Sequence, residues 1–177
     1  MIRIPRPPPV CYLALFSVIY VQAQGTSIDF VTRIYDQYRT NQIPDLLGVG
    51  GDTIFTTKFL VKYRALSKLS PDRHGLGWDP LCQCDDVEFP GYAISEIKIK
   101  PIVSKLKYAK IEVLFKISGF GIRVVLDIRK VSGKWLIDDI HTVEIRSYIE
   151  FIEEELQKSQ QNTGHPLDSN ASNSETP

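Results

Sequence analysis

The feature that most constrains the fold is a pair of neighbouring stretches in which apolar and polar residues alternate. Residues 109–118 and 122–129 each place apolar side chains at every second position. Successive side chains of a strand point to opposite faces, so each stretch predicts a strand with one buried face. The tripeptide Gly119-Phe120-Gly121 lies between them and is a turn signal. The pattern and the short connection together predict an antiparallel hairpin.

Two further strands extend this hairpin into a meander. Residues 94–103 carry Ile97, Ile99 and Val103 on one face. Residues 135–143 follow a second turn signal, Ser132-Gly133-Lys134, and form the last predicted strand. The sequence therefore predicts a four-stranded antiparallel sheet.

Three amphipathic helices flank the predicted sheet. Apolar residues at helical spacing place them at about residues 28–39, 54–68 and 148–159. The residues predicted to cap them are, in chain order, Ser27, Thr53 and the capping box of Ser147 and Glu150. Because helices and strands are segregated along the chain, the predicted fold class is α+β, a curved sheet with helices on its concave face.

The first 23 residues have the pattern of a cleavable signal peptide. Arg3 and Arg6 precede an uncharged apolar run from Val10 to Val21, and Val21-Gln22-Ala23 is a small-residue cleavage pattern. We expect cleavage after Ala23 and export of the mature chain; the alternative is a buried N-terminal helix. The predicted organisation is a signal peptide over 1–23, one α+β domain over 27–159 and a disordered polar tail over 160–177.

The charge balance argues against two classes of partner. The whole chain has 21 Lys and Arg residues and 21 Asp and Glu residues. Removing the leader with Arg3 and Arg6 leaves 19 cations and 21 anions, a net charge of about −2. Nucleic-acid binding needs clustered cations that displace counterions, and anionic lipid attracts a polybasic patch. We therefore expect neither nucleic acid nor, for the mature chain, a membrane as partner.

Cys82 and Cys84 remain after the leader is removed, within an irregular segment at residues 70–92. In an oxidising compartment two nearby thiols tend to form a disulfide, so a structural bond is favoured. A redox pair and two free thiols remain alternatives. The acidic neighbours Asp79, Asp85 and Asp86 disfavour the thiolate that redox chemistry needs. The spacing fits no common zinc pattern, and neither a metal nor another cofactor is expected.

This segment also carries a resemblance to a known family. Trp78–Asp86 reads WDPLCQCDD and resembles the Asp-Pro-Leu-Cys-x-Cys-Gln-Asp signature of a family of uncharacterised bacterial exported proteins. Weaker matches lie at residues 109–113 and 133–140, and the resemblance covers about residues 28–156. It implies a cone like that of nuclear transport factor 2 and a periplasmic location. Asp85 departs from the signature, which often has Gln there.

The strongest candidate for proton transfer is on the last strand. Asp139 and His141 are two residues apart, so they share a face of the strand. Asp138 points to the opposite face. The alternative is that Asp138 or Asp139 pairs with a cation on a neighbouring strand, Arg123 or Arg129.

These observations indicate a non-catalytic periplasmic domain that binds a ligand or a protein, one form being an immunity-type inhibitor of a delivered toxin. The alternatives are a carrier of a small apolar ligand, with a pocket inside the cone lined by aromatic side chains, a hydrolase using Asp139 and His141, and a thiol redox protein using the two cysteines. The residues predicted to bind are Trp78, Asp79, Asp85, Asp86, Asp139 and His141.

Overall fold

The computed structural model describes residues 25–69, 78–85 and 94–163. Within them the helices are α1 (Ser27–Arg39), α2 (Gly51–Ile54), α3 (Thr57–Leu69) and α4 (Tyr148–Thr163). The strands are β1 (Trp78–Asp79), β2 (Cys84–Asp85), β3 (Ser95–Ser104), β4 (Tyr108–Ile117), β5 (Phe120–Val131) and β6 (Lys134–His141). The predicted signal peptide and the tail beyond residue 163 lie outside the described residues.

The four long strands form one curved antiparallel sheet in the order β3-β4-β5-β6, which confirms the predicted meander and the α+β class. Two-residue turns join its last three strands. Ser118 and Gly119 make the first turn, with φ of 50° and 87°, and Ser132 and Gly133 make the second, with φ of 47° and 84°. Left-handed backbone at both positions suits the twist of a two-residue hairpin. Phe120 and Gly121 thus belong to β5, where the sequence predicted a turn.

The helices cover one face of the sheet and enclose an aromatic core. Tyr35 of α1 packs against Phe115 of β4 with 5.5 Å between ring centroids, and Phe55 stacks on Phe59 of α3 at 4.6 Å. All four side chains are buried. The apolar stripes of the first two predicted helices are therefore core, and that of the last helix is buried in part. The placement in the nuclear-transport-factor-2-like fold stays a prediction.

The second predicted helix, residues 54–68, corresponds to α3, which begins only at Thr57; Phe55 and Thr56 separate it from the short helix α2. Phe55 leaves the helical path and forms a parallel bridge with Ile137 of β6, and the Thr56 N–H donates to the Ile137 carbonyl. The Thr56 hydroxyl then accepts a 3.4 Å hydrogen bond from the Phe59 N–H at the start of α3. Thr56, not Thr53, is therefore the residue that caps this helix, because the backbone before it pairs with the edge of the sheet.

Three other predicted boundaries move. The cap of α1 is Thr26 rather than Ser27, and its hydroxyl forms a capping box with Asp29. The last strand ends at His141 rather than at residue 143, since Thr142 turns back to receive the Ile145 N–H. Helix α4 continues to Thr163, past the predicted start of the tail, with an ion pair between Lys158 and Glu155 on its surface. Among the described residues no helix is long and apolar enough to cross a membrane.

Candidate functional site

A cleft of about 860 Å³ opens at one end of the sheet, between α1, the segment leading into α2 and the β5–β6 turn. Its apolar floor consists of core side chains from the two helices, and its rim is polar. Its floor and rim include Phe30, Arg33, Ile34, Ile54, Lys134 and Trp135.

The floor of the cleft is fixed by the core. Phe30 and Ile34 lie one turn apart on α1, and Ile54 ends α2; each of the three is less than a tenth exposed. Ile43, which is 40% exposed, extends the apolar surface toward solvent. A floor made of packed side chains is already formed before a ligand arrives.

The wall on the helix side is held by Arg64 of α3. Its Nε donates to the Leu47 carbonyl at 2.8 Å and its Nη2 donates to the Gly48 carbonyl at 2.9 Å. The same guanidinium forms an ion pair with Asp52 of α2. These contacts fix the segment between α1 and α2, which carries Ile43 and the other residues of this wall.

The rim carries positive charge. Arg33 of α1 and Lys134 at the start of β6 line the cleft together with the amides of Gln37 and Gln42, and no Asp or Glu is among the lining residues that the structure describes. Lys130 lies outside the lining, but its Nζ is 5.5 Å from the centroid of the Trp135 ring. The cleft therefore offers an apolar floor beneath a cationic rim.

The predicted pocket inside the cone, lined by helix and sheet aromatics, is not where this cleft lies. The helix aromatics Tyr35, Tyr38, Phe55 and Phe59 are at most 1% exposed and fill the space between helices and sheet. Phe30 and Trp135 are the aromatic residues that line the cleft. The sequence prediction missed the cleft because its walls come from segments far apart in the chain.

The predicted cysteine site is a buried clasp. Cys82, in the turn between β1 and β2, forms a disulfide with Cys84, the first residue of β2, and their Cα atoms are 5.2 Å apart. Cys82 is fully buried and Cys84 is 7% exposed. The structural alternative therefore agrees with the geometry, whereas a redox site needs a sulfur that a partner can reach.

Asp79 is the centre of this hairpin and is 3% exposed. Its carboxylate accepts hydrogen bonds from the Tyr38 hydroxyl, from the Leu81 N–H at 2.8 Å and from the Cys82 N–H at 3.4 Å. The Tyr35 hydroxyl donates to the Leu81 carbonyl at 2.9 Å. The structure thus places Asp79 inside the protein, where it joins the hairpin to α1, and not on a binding surface.

Burial changes the acidity of the tyrosines around the hairpin. Loss of solvent, and then the negative charge of Asp79, raise the pKa of Tyr35 and of Tyr38 well above the ordinary value of 10.0. Burial likewise raises the pKa of Tyr148 of α4, against a hydrogen bond with Gln83 that lowers it. The hairpin is therefore held by neutral phenols from two helices.

Three other residues of this segment, Trp78, Asp85 and Asp86, were predicted to bind. Trp78 and Asp85 pair across β1 and β2 through their backbones. Asp86 lies outside the described residues. The proposed roles of these three residues in binding stay predictions.

Asp139 and His141 form hydrogen bonds with different partners and do not form a catalytic pair. The Asp139 carboxylate accepts hydrogen bonds from the Ser147 hydroxyl at 2.6 Å and from the Ile149 N–H at 3.1 Å, so it caps α4. The His141 Nε2 lies 2.9 Å from Asp127 Oδ2 on β5, and its Nδ1 contacts the Arg146 carbonyl. Both ring nitrogens are occupied by the protein itself.

On the outer face of the sheet, the Asp127 carboxylate accepts hydrogen bonds from several side chains. Its carboxylate receives the Tyr108 hydroxyl at 3.0 Å and the Lys110 Nζ at 3.2 Å in addition to His141. Partial burial, followed by the bond to Asp127, raises the pKa of Tyr108 to about 12. Nearby, Asp138 forms an ion pair with Arg129 at 2.6 Å, the cross-strand pairing expected as an alternative to catalysis. Within the part of the chain that is described, no cluster of His, Cys, Asp and Glu is suited to hold a metal.

Comparison with solved structures gives a distant similarity. No protein-family model matches the chain, and no curated protein sequence matches it. The structure of a phospholipid-binding protein from Ralstonia solanacearum in complex with a phospholipid is similar, with a TM-score of 0.48 and 11% sequence identity. The similarity covers 79% of this chain and 90% of that one. It is too distant to indicate a ligand for the present chain, and the resemblance of residues 78–86 to a family signature stays a prediction.

Proposed function

We propose that the mature chain is a non-catalytic binding domain that holds a small ligand in the cleft between α1 and the β5–β6 turn. The observation that carries this proposal is the cleft itself, about 860 Å³ above a floor of core side chains. Small-molecule sites are concave, mostly apolar, largely preformed and roughly 300–1,000 Å³ in volume. The cleft is concave, has a preformed apolar floor and falls within this range of volume.

The contacts of the candidate catalytic groups favour binding over catalysis. Asp139 caps a helix, and His141 is held between Asp127 and a backbone carbonyl. Cys82 and Cys84 are bonded to each other and buried. Each of these groups has a structural role that leaves its reactive atoms facing protein and not the cleft.

A neutral fluorescent probe, N-phenyl-naphthylamine, tests the proposal. Trp78 and Trp135 are the two tryptophans of the chain, so a Trp78→Phe variant reports on Trp135 alone. We expect saturable binding with energy transfer from Trp135 to the probe, since this indole lines the cleft.

A pair of matched variants locates the binding. Ile43→Glu places a charge on the apolar surface of the cleft, whereas Ile102→Glu makes the same change at a similarly exposed isoleucine of β3. We expect Ile43→Glu to weaken probe binding at least about fivefold, because a carboxylate replaces apolar contact area, and Ile102→Glu to leave it unchanged. Equal affinities of the two variants, or no saturable binding to the wild type, would overturn the proposal.

Export is a second part of the proposal and is supported by the leader pattern at residues 1–23. If the leader is removed after Ala23, the intact mass of the protein secreted from a bacterial host will match a chain that begins at Gln24. A mass that includes the leader would contradict export by this route. An immunity-type protein partner stays a prediction that pull-down from a periplasmic extract can test.

A further inference from the structure

We infer that the ligand of the cleft is an amphiphilic anion, a small molecule whose apolar body lies on the floor and whose anionic group is held by Arg33 and Lys134. This inference rests on the proposed function and adds the chemical class of the ligand. The juxtaposition of two cations from separate elements above an apolar floor carries it.

The charge of the lining is one-sided in a chain that is balanced as a whole. Lys plus Arg and Asp plus Glu are each 21 in the full sequence, yet the described residues that line the cleft include Arg33 and Lys134 and no acid. Lys130, beside Trp135, adds a third cation at the same end of the sheet. A cleft lined by one sign of charge above low-dielectric walls concentrates ligands of the opposite sign.

The two cations of the rim are also available to a ligand. Elsewhere on the described surface, cations such as Lys110, Arg123 and Arg129 form ion pairs with neighbouring acids. Lys134 forms no ion pair with a described residue, and Arg33 forms none at contact distance, although its charge helps to lower the pKa of Asp29. Asp29, one turn before Arg33 on α1, accepts its hydrogen bond from Thr26 in the capping box and lies near Arg33 without contacting it. A guanidinium and an ammonium that no carboxylate contacts are suited to bind a carboxylate, a sulfonate or a phosphate.

The polar amides fit the same ligand. Gln37 and Gln42 line the cleft and supply N–H donors beside the two cations. The buried Phe30, Ile34 and Ile54 give the remainder of the ligand an apolar surface. A fully polar anion would leave this floor uncovered, and a neutral apolar molecule would leave the cations without a partner.

The test uses two fluorescent probes that share a ring system and differ in charge. Anilinonaphthalene sulfonate carries an anionic group that N-phenyl-naphthylamine lacks. The affinities of both are measured for the wild type, for Arg33→Gln/Lys134→Gln and for the control Lys100→Gln/Lys105→Gln, which removes the same charge at exposed residues outside the cleft.

We expect the cleft variant to bind the sulfonate probe about tenfold more weakly and the neutral probe within about twofold of the wild type. The control should bind both probes as the wild type does. Added salt should lower the affinity for the sulfonate probe and not for the neutral probe, because salt screens exposed charges. Displacement of the sulfonate probe by decanoate, decyl sulfate and decyl phosphate, but not by decanol, would support the inference and rank the anionic groups.

The outcomes separate the two proposals. If both probes bind and the cleft variant loses no more affinity for the sulfonate probe than for the neutral probe, the inferred ligand class is wrong. The proposed binding site is then unaffected. If the control variant loses as much sulfonate affinity as the cleft variant, general surface charge explains the binding and the inference fails. If neither probe binds, or Ile43→Glu has no effect on either, the cleft is not the site and both proposals fall.

Discussion

Asp139 of β6 and Ser147, the residue before α4, are joined by a 2.6 Å hydrogen bond at the start of the last helix. The Ser147 hydroxyl also accepts from the Glu150 N–H at 3.2 Å, and Asp139 accepts from the Ile149 N–H. Two side chains from different elements thus satisfy backbone N–H groups in the first turn of α4. The sheet edge thereby fixes where this helix begins.

Asp139→Ala is expected to destabilise the protein without affecting the cleft. The variant leaves the Ile149 N–H without its acceptor and removes a negative charge from a helix N-terminus, which costs about 1–3 kcal/mol. Urea unfolding measures this loss. Glu144→Ala, an exposed acid between β6 and α4, removes the same charge and should change stability by less than about 0.5 kcal/mol. Equal stability of the two variants would contradict the capping role.

Stability should fall in alkaline solution because of Tyr35 and Tyr38. Burial raises the pKa of both phenols above 10.0, so their contribution is fully present below that pH. Above it the unfolded chain releases protons that the folded chain retains. The free energy of unfolding then falls by about 1.4 kcal/mol per pH unit for each tyrosine, until the pH passes the raised pKa.

Tyr35→Phe/Tyr38→Phe checks this pH dependence. Its free energy of unfolding should be lower than that of the wild type at pH 8, since Asp79 and the Leu81 carbonyl lose donors. Its decline above pH 10 should be shallower by about 2.8 kcal/mol per pH unit, the sum of the two phenols. Urea unfolding from pH 8 to 11 gives both quantities. Parallel curves for variant and wild type would exclude these phenols as the cause.

The disulfide should resist reagents while the protein is folded. Both cysteines are buried, so native mature protein treated with iodoacetamide and a mild reductant should gain no mass, whereas the unfolded protein should gain two adducts. Replacing both cysteines with Ser should lower the free energy of unfolding by only about 1–2 kcal/mol, because so short a loop restricts the unfolded chain little. Rapid reduction in the native state would revive the redox alternative.

Arg64→Ala should loosen one wall of the cleft. It removes the donors to the Leu47 and Gly48 carbonyls and the ion pair with Asp52. We expect a loss of about 1–2 kcal/mol in stability and a severalfold weaker affinity for N-phenyl-naphthylamine. Arg39→Ala, which removes an exposed ion pair with Asp36, should have little effect on either. Unchanged probe affinity of Arg64→Ala would show that the wall needs no such support.

Local pattern was sufficient for the sheet and for most of each helix. The alternation in β4 and β5 predicted their buried faces because the side-chain period of a strand depends on the strand alone. The break at Phe55 was not predictable in this way. Its backbone pairs with Ile137, which lies far along the chain, and nothing in the sequence around Phe55 marks that bridge.

The candidate site was harder to predict for the same reason. Asp139 was recognised as a notable acid, but its partner Ile149 is ten residues away and belongs to another element. The sequence predicts Asp79 as a binding residue of an irregular segment, and it does not reveal the burial of its carboxylate, which depends on Tyr38 of α1. Arg33 and Lys134 belong to no binding motif that the sequence reveals. They line the same cleft only because folding brings α1 beside the β5–β6 turn.

The β5–β6 turn limits how this protein can diversify. Gly133 lines the cleft, and its φ of 84° is one that a side chain rarely tolerates. Most mutations at this position would disturb the hairpin before they could alter the ligand. A lineage or a library that seeks a new specificity therefore has to vary Lys134, Gln37 and Gln42, whose side chains project from a backbone that imposes no such demand.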